Sequence, residues 1–88
     1  MRIDNIIIED KIKEKILSKH NVRANEVVNV LLSSPLILMA KAERYMVIGY
    51  HERFLTVIFD KQSKSTNIIT AYPPTTAQIR LYKKKKGM

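Results

Sequence analysis

One stretch constrains most of what this chain can become: RYMVIGYHERFLTVIFDKQSKSTNIITAYPP, from Arg44 to Pro74. Residues 45–50, 54–60 and 67–72 are three runs rich in β-branched and aromatic side chains, the kind that fit a pleated, half-buried surface. His51-Glu52-Arg53 is short enough to turn a hairpin, and the polar segment 61–66 (KQSKST) makes a second turn. The pattern predicts a β-meander, with helical cover before it and a basic element after it. Residues 36–40 (LILMA) add a short apolar strand, so the expected sheet has about four antiparallel strands.

Ahead of the sheet lie two helical patterns. Ile12, Ile16 and Leu17 share one helical face within residues 10–19. Glu9 and Asp10 at the start and Lys19 at the end suit the helix dipole. Asn21 accepts the left-handed conformation of a helix C-cap. In residues 24–32, Ala24, Val27, Val28, Leu31 and Leu32 form a wide apolar stripe, and Ser33-Ser34-Pro35 ends it. Residues 1–8, with Ile3, Ile6, Ile7 and Ile8, read as a short strand or as the approach to the first helix.

After the meander, Tyr72-Pro73-Pro74 stops the strand, because a residue before proline is pushed to extended geometry. Thr75 and Gln78 then have the spacing of a capping box. The short helix that follows is expected to place Ala77 and Leu81 on one face, with Ile79 and Tyr82 on the next. It ends in Lys83, Lys84, Lys85 and Lys86, which favour a helix C-terminus electrostatically. The expected fold is α+β: two N-terminal helices on a twisted antiparallel sheet, with a basic C-terminal helix. At 88 residues this is a single domain spanning residues 1–88.

Charge sharpens the functional reading. The 16 basic and 8 acidic residues give a net +8. Residues 1–35 carry six basic and five acidic side chains, and residues 36–88 carry ten and three. A positive field concentrated on one half is the footprint of a nucleic-acid binder; a lysine-rich terminus also serves solubility alone. The chain has no cysteine and two histidines, so neither a disulfide framework nor a zinc site is expected. No apolar run approaches a membrane span, and lysines interrupt the N-terminal region. The expectation is a cytoplasmic chain with no membrane contact.

RNA cleavage by 2′-OH attack needs a base, an acid and cations that stabilise the pentacovalent phosphate. It needs no cofactor and no metal. The residues suited to it are His51, Glu52 and Arg53 in one turn, Arg44 on the adjoining strand, and Arg80 and Tyr82 on the last helix. His51 and Glu52 suit proton transfer, and Arg44 or Arg53 suits a phosphate. Tyr72 or Tyr82 offers a ring for base stacking, and Lys83, Lys84, Lys85 and Lys86 offer charge to the RNA backbone. The alternative for the 51–53 turn is a polar hairpin tip facing water.

Several short motifs occur in an order that resembles BrnT-type toxins of the RelE-like group. KHNV at residues 19–22, before an apolar helix, resembles that family's lysine-histidine-glycine-valine turn. RYMVIGY followed by LTVIFD resembles its arginine-tyrosine strand and hairpin, and IITAYPPT before Arg80-Leu81-Tyr82 resembles its last strand and terminal helix. The match runs from about Asp10 to Tyr82. Three positions depart from the pattern: Asn21 replaces the glycine, Tyr72 stands where an arginine is usual, and tryptophan is absent. The resemblance implies the toxin of a toxin–antitoxin pair, a metal-independent endoribonuclease with RNA as substrate and an antitoxin that covers the basic surface. It implies that Arg44, Arg53, Tyr72, Arg80 and Tyr82 fall in the elements that build the site. Competing expectations are a non-catalytic RNA-binding module and a protein-interaction module on the same scaffold.

Overall fold

A computed structural model describes residues 3–87. The order of elements is β1 (Ile6–Ile7), α1 (Asp10–His20), α2 (Ala24–Leu31), β2 (Leu36–Lys41), β3 (Arg44–His51), β4 (Arg53–Gln62), β5 (Ser65–Tyr72) and α3 (Thr76–Lys85). The sheet order is β1-β5-β4-β3-β2. The four strands β2 to β5 form the expected antiparallel meander. The expectation of about four strands falls one short. The two-residue β1 adds a fifth, parallel to β5, with Ile6 opposite Thr66 and Ile7 opposite Asn67. So short a strand carries no periodicity, and its partner lies about sixty residues away in sequence. Met1 and Arg2 of the N-terminal segment lie outside the described residues.

β1 is anchored by polar contacts. Asn5 O accepts from the Thr66 backbone N–H at 3.1 Å, and Asp4 O accepts from the Thr66 hydroxyl at 3.0 Å. Thr66 is fully buried, and the bond to Asp4 O meets the cost of burying its hydroxyl. The segment expected as a six-residue turn is mostly strand. β4 runs to Gln62 and β5 starts at Ser65, and Ser63 turns the corner at a φ of 52°. Polar composition signalled a turn, but the ladder continues to the hairpin, pairing Lys61 with Thr66 and Gln62 with Ser65.

The helices assemble as the caps dictate. Asn21 closes α1 at a φ of 54°, with its N–H bonded to Leu17 O. Asparagine thus takes the left-handed position that a glycine would hold without strain. The Thr75–Gln78 capping box of α3 is present, with Thr75 N donating to Gln78 Oε1 and Gln78 N to Thr75 Oγ1.

α1 and α2 cover one face of the sheet. Ile16, Val22, Val27, Val30 and Leu31 meet Val47, Leu55, Val57, Phe59, Ile68 and Ala71 there. Ile68 and Ala71 are three apart, yet both face this core. The β4–β5 register explains it: Ile58 opposes Thr70 and Phe59 opposes Ile68, leaving Ile69 as an extra residue. Gly49 lets α2 close in. A Cβ there would sit 2.8 Å from Val30 Cγ1 and 2.9 Å from Pro35 Cβ.

The strands are apolar on both faces because the second face is covered too. α3 lies across it, and Ile48 and Thr56 beneath are fully buried. Ile79, Leu81 and Tyr82 turn inward as their spacing suggests, and the difference is Gln78 in place of Ala77. Gln78, Ile79, Leu81 and Tyr82 are half-buried, while Ala77 is exposed. The capping glutamine, counted as polar by the helical pattern, is the residue that docks the helix.

Candidate functional site

The sheet has two ends. At one, β3 and β4 meet in the turn at Glu52, whose φ is 68°. The C-terminus of α1, the N-terminus of α2 and the last residue of β5 gather near this hairpin end. At the far end lie Arg44 and Asp60, which oppose one another across β3 and β4.

Arg44 and the 51–53 turn, expected to share a site, are kept apart. They are separated by the length of β3, roughly 23 Å at about 3.3 Å per residue. Arg44 Nε donates to Asp60 Oδ1 at 2.7 Å and Nη2 to Asp60 Oδ2 at 3.1 Å, a two-pronged ion pair. Arg53 is engaged as fully. Its Nε donates to Glu26 Oε2 at 2.7 Å, and its Nη2 to Glu26 Oε1 at 3.1 Å and to Asn21 O at 2.7 Å. Strand alternation also sets the two arginines on opposite faces: Arg53 shares a face with Leu55 and Val57, Arg44 with Met46 and Ile48.

Arg53 therefore clasps the hairpin to both N-terminal helices. Its charge meets a carbonyl at the negative end of α1 and a carboxylate in the first turn of α2. Arg53→Ala is expected to cost about 1–2 kcal/mol, discounted for partial solvent exposure. Arg53→Lys is expected to recover only part of that, because an ammonium cannot reproduce the planar fork. Urea melts of the two variants beside wild type check this ordering; equal midpoints for all three would remove the clasp from the account.

Both carboxyl partners are held below their ordinary range. The Arg53 hydrogen bond is the main cause for Glu26, aided by the Arg23 N–H and opposed by burial. The Arg44 hydrogen bond is the main cause for Asp60. A depressed carboxyl stabilises the fold fully above its unfolded pKa, about 3.9 for Asp and 4.3 for Glu, and loses that stabilisation as pH falls through the lower folded value. Thermal melts are therefore expected to drop in Tm below about pH 4.3. The drop should be shallower in a Glu26→Gln, Asp60→Asn variant. Parallel curves for the two proteins would count against both ion pairs.

The remaining candidates divide between the two sides of the hairpin. His51 pairs with Arg53 across the strands and is exposed, as is Glu52 at the apex. On the α3 side, Tyr50 opposes Phe54 with ring centroids 5.0 Å apart. Phe54 in turn meets Tyr82 at 5.2 Å. Tyr72, at the end of β5, lies 5.9 Å ring to ring from His20, and its hydroxyl accepts from Gln78 Nε2 at 3.2 Å. Gln78 Oε1 also accepts from the Thr56 hydroxyl at 2.9 Å. That amide thus joins α3 to β4 and β5.

Arg80 is exposed, on the opposite side of α3 from Gln78 and Tyr82. Lys83, Lys84 and Lys85 are exposed as well, with no acidic partner among the described residues. Lys86 Nζ donates to Ser34 O at 2.6 Å, which ties the end of α3 to the loop before β2. Among the described residues, no three His, Asp or Glu side chains form a set able to hold a metal ion. No described helix is long and apolar enough to cross a membrane.

Sequence reading did not single out Glu26, Asp60 or Tyr50. Nothing in the sequence pairs Glu26 with Arg53, 27 positions on. The alternation of β3 placed Tyr50 on a face with Ile48, but not whether a neighbour would cover it.

Among the described residues, three helices enclosing a five-stranded mixed sheet, with a lysine-ended helix across one face, define a small α+β domain. The same architecture is found in the crystal structure of the Brucella abortus ribonuclease toxin BrnT. The TM-score is 0.70 at 21% sequence identity, over 82% of this chain and 97% of that one. The chain has a BrnT-like fold. No protein-family model and no curated protein sequence matches it.

Proposed function

We propose that this protein is the toxin of a toxin–antitoxin pair, a metal-independent endoribonuclease of the cytoplasm. The observation that carries the reading is the likeness to a ribonuclease toxin over 97% of that toxin's chain. The positive charge on α3 supports it, since a polyanion is the natural partner of exposed, unpaired lysines.

In this reading a base at the hairpin end takes the proton of a 2′-hydroxyl. The freed oxygen attacks the adjacent phosphorus, and an acid protonates the departing 5′-oxygen. His51 and Glu52, exposed at the hairpin turn, are the groups this reading assigns to proton transfer. Lys83, Lys84, Lys85 and Arg80 supply cations to the RNA backbone. Arg44 and Arg53 are committed to carboxylates and hold the scaffold. Tyr72, where the family has an arginine, does the same through Gln78. The cognate antitoxin would cover the basic face of α3.

A second reading rests on one observation: the proton-transfer and cationic candidates lie on two sides of the hairpin. That suits an RNA-binding module that does not cut. Incubation of purified protein with RNA in EDTA, with and without translating ribosomes, separates the two. Cleavage under either condition supports the nuclease. Salt-dependent binding with intact RNA under both selects the binding module.

A further inference from the structure

Tyr50 is the anomaly of the α3-covered face. Ile48, two residues earlier on the same strand and face, is fully buried, yet Tyr50 is 52% exposed. Its ring is not loose. It stands edge-on to Phe54 at an interplanar angle of 71°, and Phe54 stands edge-on to Tyr82 at 78°. The three rings form a row. The inner two are half-buried between sheet and helix, and the outermost turns a free surface to solvent.

The surroundings of that ring are charged. Tyr82 leads directly into Lys83, Lys84 and Lys85. The end of α3 is fixed near the start of β2, because Lys86 bonds to Ser34 O, two residues before Leu36, and Leu36 pairs with Ile48. The lysine run therefore lies along the same side of the sheet as Tyr50. His51 and Glu52, which follow Tyr50, are exposed and polar. An apolar protein contact would call for apolar neighbours around the ring. A supported aromatic ring on the same side of the sheet as a cluster of exposed, unpaired cations matches single-stranded nucleic acid, whose bases stack while its phosphates meet the charge. The other tyrosines of this region are already occupied, Tyr72 by Gln78 and His20, Tyr82 by Phe54.

We propose that Tyr50 is the stacking platform for an unpaired base of single-stranded RNA whose phosphates run along Lys83–Lys85. The proposal rests on the nucleic-acid reading above and adds the ring that holds the base. The test is fluorescence anisotropy with a labelled, unstructured 2′-O-methyl RNA, which 2′-OH attack cannot cut, titrated over a range of salt. Tyr50→Phe is expected to bind like wild type. Tyr50→Ala and Tyr50→Leu are expected to bind roughly 5- to 100-fold more weakly. Leucine retains an apolar contact with Phe54 but has no aromatic face, and a thermal melt of each variant checks that the fold persists. Their salt dependence should match wild type, whereas joint alanine replacement of Lys83, Lys84 and Lys85 should reduce the slope of log K against log salt by about 2. Wild type that binds while Tyr50→Ala or Tyr50→Leu binds equally well overturns the stacking role alone. Wild type that fails to bind even at low salt overturns the nucleic-acid reading together with this proposal.

Discussion

Replacing His51 with alanine is expected to lower RNA cleavage by about 10²- to 10⁴-fold, the usual contribution of a positioned acid or base. Stability should stay within about 0.5 kcal/mol of wild type, because an exposed turn residue carries little packing. Two features make this separation of effects possible. His51 is exposed at the narrow end of the β3–β4 hairpin, and none of the hydrogen bonds that hold the helices to the sheet passes through it. Its neighbour Arg53 carries that structural load instead. The comparison of His51→Ala with Arg53→Ala is therefore diagnostic. The first should lose activity with an unchanged melting curve, and the second should lose stability. Full cleavage by His51→Ala would take the imidazole out of the reaction and leave Glu52 as the proton acceptor to examine.

The largest loss of stability is expected from Phe59→Ala, about 3–5 kcal/mol. Phe59 is fully buried beneath α1 and α2, opposes both Tyr45 and Ile68, and stacks on the Tyr45 ring with centroids 5.6 Å apart. It sits at the bulge where the β4–β5 register shifts. The surrounding strands are fixed by ladders on both sides and cannot collapse into the space the ring would leave. A domain of this size has a total stability of roughly 4–13 kcal/mol, so the variant should be marginal or unfolded at 37 °C. Urea denaturation measures the loss, with Phe59→Leu as a milder companion. A loss below about 1 kcal/mol would mean that the core around this ring relaxes far more than its strand ladders suggest.

Much of the architecture was written locally. The β-branched runs of the meander, the asparagine after α1, and the Thr75–Gln78 cap each act within a few residues of themselves, and each element formed where its signal lay. The apolar character of both faces of β4 was legible too, but not that α3 would be what covers the second one. Local signals left residues 1–8 open between a strand and the approach to α1, because β1 depends on a partner far along the chain. Nor could they reveal the extra residue at Ile69, which changes the side-chain parity of β5.

The candidate site was less legible, for a physical reason. Residue type states what a side chain can do, while its partner decides whether it is free to do it. Arg44 and Arg53 have the chemistry of phosphate clamps, yet each is satisfied by a carboxylate brought by the fold, Asp60 from the neighbouring strand and Glu26 from α2. Tyr72 and Tyr82 have the rings of base-stacking residues, yet both are spent holding α3. By itself the sequence determined most of the elements, the one-sided charge and the inventory of reactive groups, because these depend on nearest neighbours and composition. Tertiary structure alone decided which cations remain unpaired, which tyrosine keeps an open face, and that Arg44 and His51 stand at opposite ends of one strand. Those outcomes depend on contacts between residues that are distant in the chain.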